Sequence, residues 1–595
     1  MEPPITLDFE TDAIQPWPNY PPKPVGLAIR WPDGRQQYIA WRHPKGNNGT
    51  REEAEAVLRQ VWDSPMLFHN SAFDIEVAMK EFGLPYPRYV QDTLFLLFLY
   101  DPHAISLSLK PSSERLLNVP PDEQKSLEQY IRSNIRNVKE WGAYIGQAPG
   151  DVVAPYALGD VHRTFLLWEF LLPIIEKEGM ADSYYRELKL QPILMEATRR
   201  GIRLDAEKLG DDLVIYEAAL AKADAWIREK LKSPNLNIDS NEELADAIDR
   251  AGLSGVWPTT PKGRRSTSKE SLRTALTCTD TLNMLAYRGT LFTCITTFMK
   301  PWLEQGQLTG YCHPSWNQVR GDKFGARTGR LSSNGPNFQN VPNEFEDLVV
   351  PEGFPLPPIM RNYLLPPLHY TWLKRDYSQQ ELRVLAHFED GSLLQAYSEN
   401  PGLDVHEYAS DLILRYTGLS FNRKATKIVS FTLVYGGGIP ALSAKLKSGP
   451  AEASQLKTAY LDTFQDVKTL MADIKARGRA KKPVRTTGGR LLYAEKPDKT
   501  GRDQSYKLLN HLIQGSSADI TKQSIINWWE HPDRSPDDLF LATVHDENDF
   551  AAPEGDERRA MRAMNEGMMA VPLDVKLLSE GFAGKSWGTV QPFKD

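Results

Sequence analysis

The chain has 595 residues, about 41% of them apolar, and a formal net charge of −7, length enough for several buried cores and roughly three or four domains. Apolar runs such as Phe95–Tyr100 fall far short of the roughly 18 residues a membrane span needs, and the opening Met1-Glu-Pro-Pro-Ile has neither the basic start nor the apolar middle of a signal peptide. Cys278, Cys294 and Cys312 are spaced neither as a metal site nor as a disulfide framework, so a cytoplasmic protein with no membrane partner is expected. The acidic balance does not argue against nucleic acid, which a locally basic channel can hold on an acidic protein. Pro261–Lys269 and Lys475–Arg485 are the clearest basic runs, and each taken alone reads more readily as a solvated loop or helix face.

Near the start, Ile5-Thr-Leu-Asp8-Phe-Glu10-Thr alternates as a half-buried strand does, so Asp8 and Glu10 share one face while Leu7 and Phe9 take the other. Two carboxylates so close repel unless a cation lies between them, and oxygen donors of this kind suit Mg²⁺ or Mn²⁺. A third acid, Asp74, follows the apolar entry Leu67-Phe-His-Asn. Tyr156 and Asp160, four apart in a predicted helix, share a face. Together Asp8, Glu10, Asp74 and Asp160 with Tyr156 make a two-metal hydrolase constellation in which the phenol helps orient water. At this point the chain resembles the proofreading 3′→5′ exonucleases of the Asp-Glu-Asp-Asp type, tyrosine variant.

From about 182 to 205 the pattern is helical, and a mostly charged helical stretch continues to about Leu231 before the basic loop that starts at Pro261. Paired long helices with such a loop could clamp a duplex backbone through phosphate contacts. The Pro-rich stretches Pro16–Pro24 and Pro351–Pro367 are predicted to be extended surface segments. Within Thr328–Pro342, Arg330, Asn337, Gln339 and Asn340 could read the minor-groove edge of a primer–template. The Gly, Pro, Ser and Asn content there equally suits a plain turn region.

Tyr370–His387 reads as an apolar strand running into a helix, with Asp376 at the junction. Further on, Arg423, Lys427, Phe431 and Tyr435 recur every fourth position and form one slowly drifting helical stripe. Two cations followed by two rings suit the phosphates, sugar and base of a nucleoside triphosphate, whereas the bland alternative is an amphipathic helix with snorkelling bases. Leu539–Ala552 reads as a hairpin whose acidic tip presents Asp546 and Glu547 outward. One carboxylate from each segment would suffice for two metals gripping a triphosphate and a primer hydroxyl.

Taken in order, these segments resemble the family A DNA polymerases of the bacterial polymerase I type over essentially the whole chain. Asp376-Tyr-Ser-Gln379-x-Glu381-Leu-Arg looks like motif A, Arg423-x3-Lys427-x3-Phe431-x3-Tyr435-Gly436 like motif B, and Val544-His545-Asp546-Glu547 like motif C, while Asn510-x3-Gln514 fits the family's template-side segment. The resemblance implies an α/β multidomain protein, with a ribonuclease H-like 3′→5′ exonuclease domain over 1–181 and a right-hand polymerase domain over 182–595. Within the latter it implies a thumb at about 206–305, fingers at about 396–500, and a palm from 182–205, 306–395 and 501–595.

The resemblance further implies that Asp376 and Asp546, with Glu547 beside them, serve catalysis with two Mg²⁺ or Mn²⁺ ions per active site. Arg423, Lys427, His406 and Gln379 would meet the incoming dNTP, and Lys427 would also donate a proton to the leaving pyrophosphate. Glu381 would exclude a 2′-hydroxyl, and Phe431 would discriminate against dideoxynucleotides. Tyr435 would guard the templating position, while Arg330, Asn337, Gln339, Asn510, Gln514 and His545 would track primer–template DNA. The start of the chain so close to Asp8 resembles short phage replicative polymerases without a 5′ nuclease domain. The resemblance implies a monomer in the bacterial host cytoplasm working with helicase, primase and single-strand binding protein; the thumb segment has little room for the large processivity-factor insertion of some phage relatives, so thioredoxin is not expected.

Gln380, Ser430, Thr432, Tyr506, Asn548, Asp549 and the Lys374-Arg375 pair depart from the family pattern. Two other classes remain as alternatives: a nuclease whose second half only binds nucleic acid, opposed by the intact Asp376 and Asp546, and a single-subunit RNA polymerase, opposed by Glu381 and the exonuclease acids.

Overall fold

The computed structural model describes residues 3–260, 262–342, 344–345 and 348–594. Ile5–Thr11 forms β1, which pairs antiparallel with β2 (Pro24–Arg30) and parallel with β4 (Met66–Phe68). With β3 (Gln36–Ala40) and β5 (Val90–Asp92) the sheet order is β3-β2-β1-β4-β5, so β1 is central and covered on both faces. Its apolar residues Ile5, Leu7 and Phe9 join a core with Phe82 at the end of α1 (Ser71–Phe82), and the Phe9 and Phe82 rings stack at 6.0 Å. The short helix α2 (Leu109–Leu117) precedes the long helix α3 (Gly150–Lys177). In α3, Val153, Ala157 and Val161 recur at four-residue spacing and pack on Ala28, Tyr38 and Ala40 of the sheet. That contact delivers Asp160 to β1.

α4 (Ala181–Arg200) leads into an antiparallel helix pair, Ala206–Lys230 with Thr279–Thr293, cored by Ala219, Ala223, Ile227, Met284 and Leu291. β6 (Tyr370–Tyr377) is followed by α5 (Gln380–Glu389), and then by a helical cluster containing α6 (Val405–Thr417) and α7 (Arg423–Val434) around a separate core. α8 (Leu508–Trp529) returns the chain to the second sheet, built of β6, β7 (Leu539–Val544), β8 (Glu547–Pro553), β9 (Ser579–Gly584) and β10 (Gln591–Pro592) in the order β7-β8-β6-β9-β10. β6 is therefore central here as β1 is in the first sheet, and both carry acids. Among the described residues no helix is long and apolar enough to cross a membrane.

Two surface expectations are corrected. Trp17 stacks on His313 at 4.6 Å, and Pro21 and Pro22 are buried, so the first Pro-rich stretch is tied down rather than free. In the second, Met360, Tyr363 and Leu364 are buried and Leu364 pairs with Leu204. In the basic loop, of which Pro261 lies outside the described residues, Arg265 is paired with Asp246 and Asp249, while Lys262, Arg264 and Lys269 are exposed.

A buried ionic network ties α4 to α8. Lys522 donates to Glu187 and to the Gln318 carbonyl, each at 2.6 Å, while Asp519 accepts from Arg186 at 2.9 Å and from Arg490 at 2.7 Å. These pairs are sealed from water, so removing one partner leaves an uncompensated charge. Glu187→Ala is expected to lose about 3–5 kcal/mol of stability by urea unfolding; a loss within experimental error would show that Lys522 is readily rehydrated.

Candidate active sites

The first acid cluster is assembled by β1 and α3. Carboxylate oxygens of Asp8, Glu10 and Asp160 lie within 4.8 Å of one another, and Glu10 Oε1 and Asp160 Oδ1 are buried without a hydrogen-bond partner. Burial, then Asp160, pushes the Asp8 carboxyl up to about 8. Burial likewise raises Glu10 and Asp160. Three desolvated carboxylates cannot all ionise without a cation. Lys110, from the first turn of α2, supplies one: its ammonium bonds Asp160 Oδ2 and lies 3.9 Å from the centre of the Tyr156 ring. Sequence reading missed Lys110 because it stands 50 positions from Asp160 and belongs to no acidic motif. Tyr156 packs edge-on against Trp141, and burial followed by Asp160 raises its phenol. Asp74 is not in the tight group; its Oδ1 accepts the Phe9 N–H at 2.9 Å, bracing β1. The all-oxygen donor set and its orphaned buried atoms fit a hard divalent cation.

The second acid pair lies where β6 ends and β7 turns into β8. His545 and Asp546 make the two-residue turn, His545 in the left-handed region at φ 60, and the Tyr377 N–H reaches the Asp546 carbonyl at 3.3 Å. Burial and Asp546 push Asp376 up to about 7, and burial pushes Asp546 up to about 6. Asp376 Oδ1 is buried without a hydrogen-bond partner, which again fits a hard divalent cation as ligand.

Glu547 does not point outward with Asp546. It opens β8, and the strand's alternation turns its side chain inward, where Lys374, Arg361 at 3.2 Å and Trp587 Nε1 at 2.8 Å hold the carboxylate. Lys374 and Arg361 keep it below the usual carboxylate range against the effect of burial. Gln339 is likewise committed to the protein: its Nε2 donates to the Thr543 carbonyl at 2.6 Å and its Oε1 accepts the His545 N–H at 3.3 Å. It braces the turn, while the Asn337 side chain caps the short helix in front of it by accepting the Gln339 N–H at 3.1 Å.

The stripe on α7 is real and faces outward. Arg423 and Lys427 are exposed, Phe431 is half-buried and Tyr435 caps the helix, while Thr426, Val429, Ser430 and Leu433 pack into the core. The Phe431 and Tyr435 rings stack at 6.0 Å. A cavity of about 290 Å³ brings Phe431 and Tyr435 together with Arg330, Glu381, His545 and Asp546. Glu381 is bound on both oxygens, by an ion pair from Arg330 and by the Tyr435 hydroxyl at 2.7 Å. Gln379 also lines this cavity, but its amide is committed: its Oε1 accepts from the Tyr397 hydroxyl at 2.8 Å and its Nε2 donates to the Leu403 carbonyl. His406 lies buried 5.7 Å from the Phe431 ring, and burial lowers it to about 4, so it is neutral near pH 7. Arg423 is paired with Asp404 at 2.7 Å, whereas Lys427 makes no ion pair among the described residues. On α8, Asn510 Oδ1 is buried without a hydrogen-bond partner and Gln514 is half-buried.

Most of the departures from the family pattern find partners in the fold. Ser430 and Thr432 lie about 100° to either side of Phe431 around α7; both are buried, Ser430 bonded to the Thr426 carbonyl at 2.8 Å and Thr432 Oγ1 without a hydrogen-bond partner, and neither lines the cavity. Gln380 donates to Thr521 at 3.2 Å. Tyr506 packs against Gly436, where an added β-carbon would lie 3.0 Å from its ring. The β6–β8 register sets Lys374 opposite Asp549, Arg375 opposite Asn548 and Asp376 opposite Glu547. Glu547 and Asp546 thus make opposite predictions although they are neighbours. Glu547→Gln leaves Lys374 and Arg361 without their counter-charge and is expected to cost about 3 kcal/mol in urea unfolding, whereas Asp546→Asn relieves repulsion and should leave stability equal or higher. Equal effects of the two would refute this division.

Comparison with known proteins agrees with the geometry. The family model described as DNA polymerase family A matches residues 209–589. DNA polymerase DpoZ of Vibrio phage phiVC8 is 24% identical across 96% of this chain and 94% of its own length. The thermostable DNA polymerase I of Thermus aquaticus is 30% identical over 79% of this chain, which spans 56% of that longer relative. The solved structure of the POL domain of Pol1 from M. smegmatis, in complex with DNA primer-template and dNTP, superposes with a TM-score of 0.78 at 23% identity, covering 98% of this chain and 95% of that one. A barely matching sequence thus accompanies a closely matching fold, and the chain belongs to DNA polymerase family A.

Proposed function

We propose that the protein extends a DNA primer on a DNA template with dNTPs and removes misinserted nucleotides with a separate 3′→5′ exonuclease site, copying a phage genome in the bacterial cytoplasm. The observation that carries this reading is the presence of two acid clusters on the central strands of two different sheets, one of them beside the cation-and-ring stripe of α7. Residues 1–181 would form the exonuclease domain and 182–595 the polymerase, with 206–305 as thumb, 396–500 as fingers and the remainder as palm. The phage relative, matched along nearly its whole length, supports a replicative role. Helicase, primase and single-strand binding protein would be its working partners.

In the polymerase site Asp376 and Asp546 would hold Mg²⁺ or Mn²⁺, and Glu547 would keep Asp546 in place rather than bind metal. When bound, the ions supply charge neutralisation for the triphosphate and activation of the primer hydroxyl. Lys427 would meet the phosphates and protonate the leaving pyrophosphate. Arg423 would join it by leaving Asp404, an exchange that costs little because exposed ion pairs contribute only about 0–1 kcal/mol. Phe431 and Tyr435 would stack beside the new base pair once Tyr435 releases Glu381, whose bulk would then exclude a 2′-hydroxyl. His406, neutral and under Phe431, would act as a neutral hydrogen-bonding group. Arg330, His545, Asn510 and Gln514 would face the primer–template. In the exonuclease site Asp8, Glu10 and Asp160 would hold the metals, Asp74 would secure β1 and contribute to the set, and Tyr156 would orient the attacking water.

Primer extension and primer degradation in Mg²⁺ separate the two sites. Asp546→Asn is expected to abolish extension, and normal extension by that variant would refute the metal assignment. Asp8→Ala with Glu10→Ala should abolish degradation and spare extension; losing both activities would argue against two independent sites. Glu381→Ala should raise ribonucleotide incorporation by at least about tenfold, equivalent to about 1.4 kcal/mol of lost discrimination. An unchanged ratio would sink the gate.

A further inference from the structure

We propose that the segment 320–325, which lies in the polymerase half of the chain, forms one wall of the exonuclease cleft and grips the single-stranded 3′ end of DNA through Lys323 and Phe324. This rests on the exonuclease reading above and extends it to substrate recognition. A cavity of about 680 Å³, well within the size range of ligand clefts, runs from Asn70, Lys110 and Tyr156 on the exonuclease side to Lys323 and Phe324 on the other.

The segment is strapped to the exonuclease half at its base and free at its tip. Asp322 accepts from the Ser106 hydroxyl at 2.6 Å, the Leu107 N–H at 2.9 Å and the Ser108 hydroxyl at 2.7 Å. Arg320 donates to the carbonyls of Ala104, Ile105 and Pro102. The Gly321 N–H closes a turn onto the Phe324 carbonyl at 2.7 Å, and Gly325, at φ +90, has room for no side chain because a β-carbon would lie 2.2 Å from the Val319 carbonyl. Both charged residues of the base are thereby consumed by the anchor. Lys323 is left exposed, and Phe324 is 52% exposed although nothing in a stable core demands an aromatic there. The anchor also ends at Ser108, immediately before the α2 turn that carries Lys110, so the same strap positions the cation of the acid cluster.

An exposed ring beside an exposed ammonium, at the mouth of an acidic phosphodiesterase site, suits single-stranded nucleic acid: the cation meets a phosphate and the ring stacks on a base. Paired bases in a duplex have no free face to offer such a ring, whereas a frayed 3′ end does. The wall would therefore favour mispaired ends over matched ones.

The test uses the full-length protein and a single-stranded oligonucleotide ending in 3′-terminal 4-thiothymidine. With the non-degrading Asp8→Ala, Glu10→Ala protein, ultraviolet cross-linking is expected to label the peptide containing Phe324. In the otherwise native protein, Phe324→Ala should raise the half-saturating concentration of single strand for degradation at least about fivefold, the low end of one lost base stack. Phe324→Trp should restore it, and extension of a matched primer should not change. Absence of the cross-link, or an unchanged half-saturation in Phe324→Ala, overturns the proposal. If the native protein degrades no DNA, the exonuclease reading fails, and the cross-link still decides whether the strap binds a single strand.

Discussion

Repulsion between buried carboxylates is the constraint around which this molecule is built. Asp8 and Glu10 lie on the central strand of one sheet, Asp376 at the end of the central strand of another, and a second element brings each an opposing acid. Such groups are held together because rigid strands and long helices resist their separation, and a divalent cation between them would relieve the repulsion. The surrounding architecture follows from this demand. α3 needs its length to pack across the first sheet and still deliver Asp160, and the β7–β8 turn needs the Gln339 brace to hold His545 in a backbone conformation that a β-carbon disfavours.

The two sites manage the excess charge differently. In the first, Lys110 reaches into the acids directly. In the second, the neutralising cations lie one layer below: Lys374 and Arg361 hold Glu547, and Trp372 donates to Asp549 at 2.8 Å on the same face. The basic residues before Asp376 and the polar residues after Asp546 look like unrelated oddities in the linear chain. Antiparallel pairing makes them one network, since Lys374 faces Asp549 across two adjacent strands. Changing one partner without the other would leave a buried charge or an unfilled acceptor.

Much of the site was legible before folding. The stripe on α7 was visible because helical periodicity is local, and its outward face follows from the apolar residues between the stripe positions. Asp8, Glu10 and Asp376 were visible because strand alternation and a strand-to-helix junction are also local. Local pattern failed where a side chain had two directions open to it. Glu547 and Gln339 look like surface groups in a polar motif, yet both are turned inward by neighbours more than 150 positions away in sequence, as the Arg361 and Thr543 contacts show. Ser430 and Thr432 flank Phe431 in sequence, but the turn of about 100° per residue carries each of them off the stripe and into buried positions.

The sequence by itself determined the order of the motifs, the residue types able to bind metal and phosphate, and the periodicity that puts them on exposed faces, because those properties depend on bonds and dihedrals within a few residues. Only the tertiary structure decided which charges are already spent and which remain for a ligand. Arg423 is paired with Asp404, Glu381 with Arg330 and Tyr435, and Asp322 with the Ser106–Ser108 turn, while Lys427, Lys323 and Phe324 face solvent. Pairing is a matter of distance in space, and elements far apart in the chain set those distances.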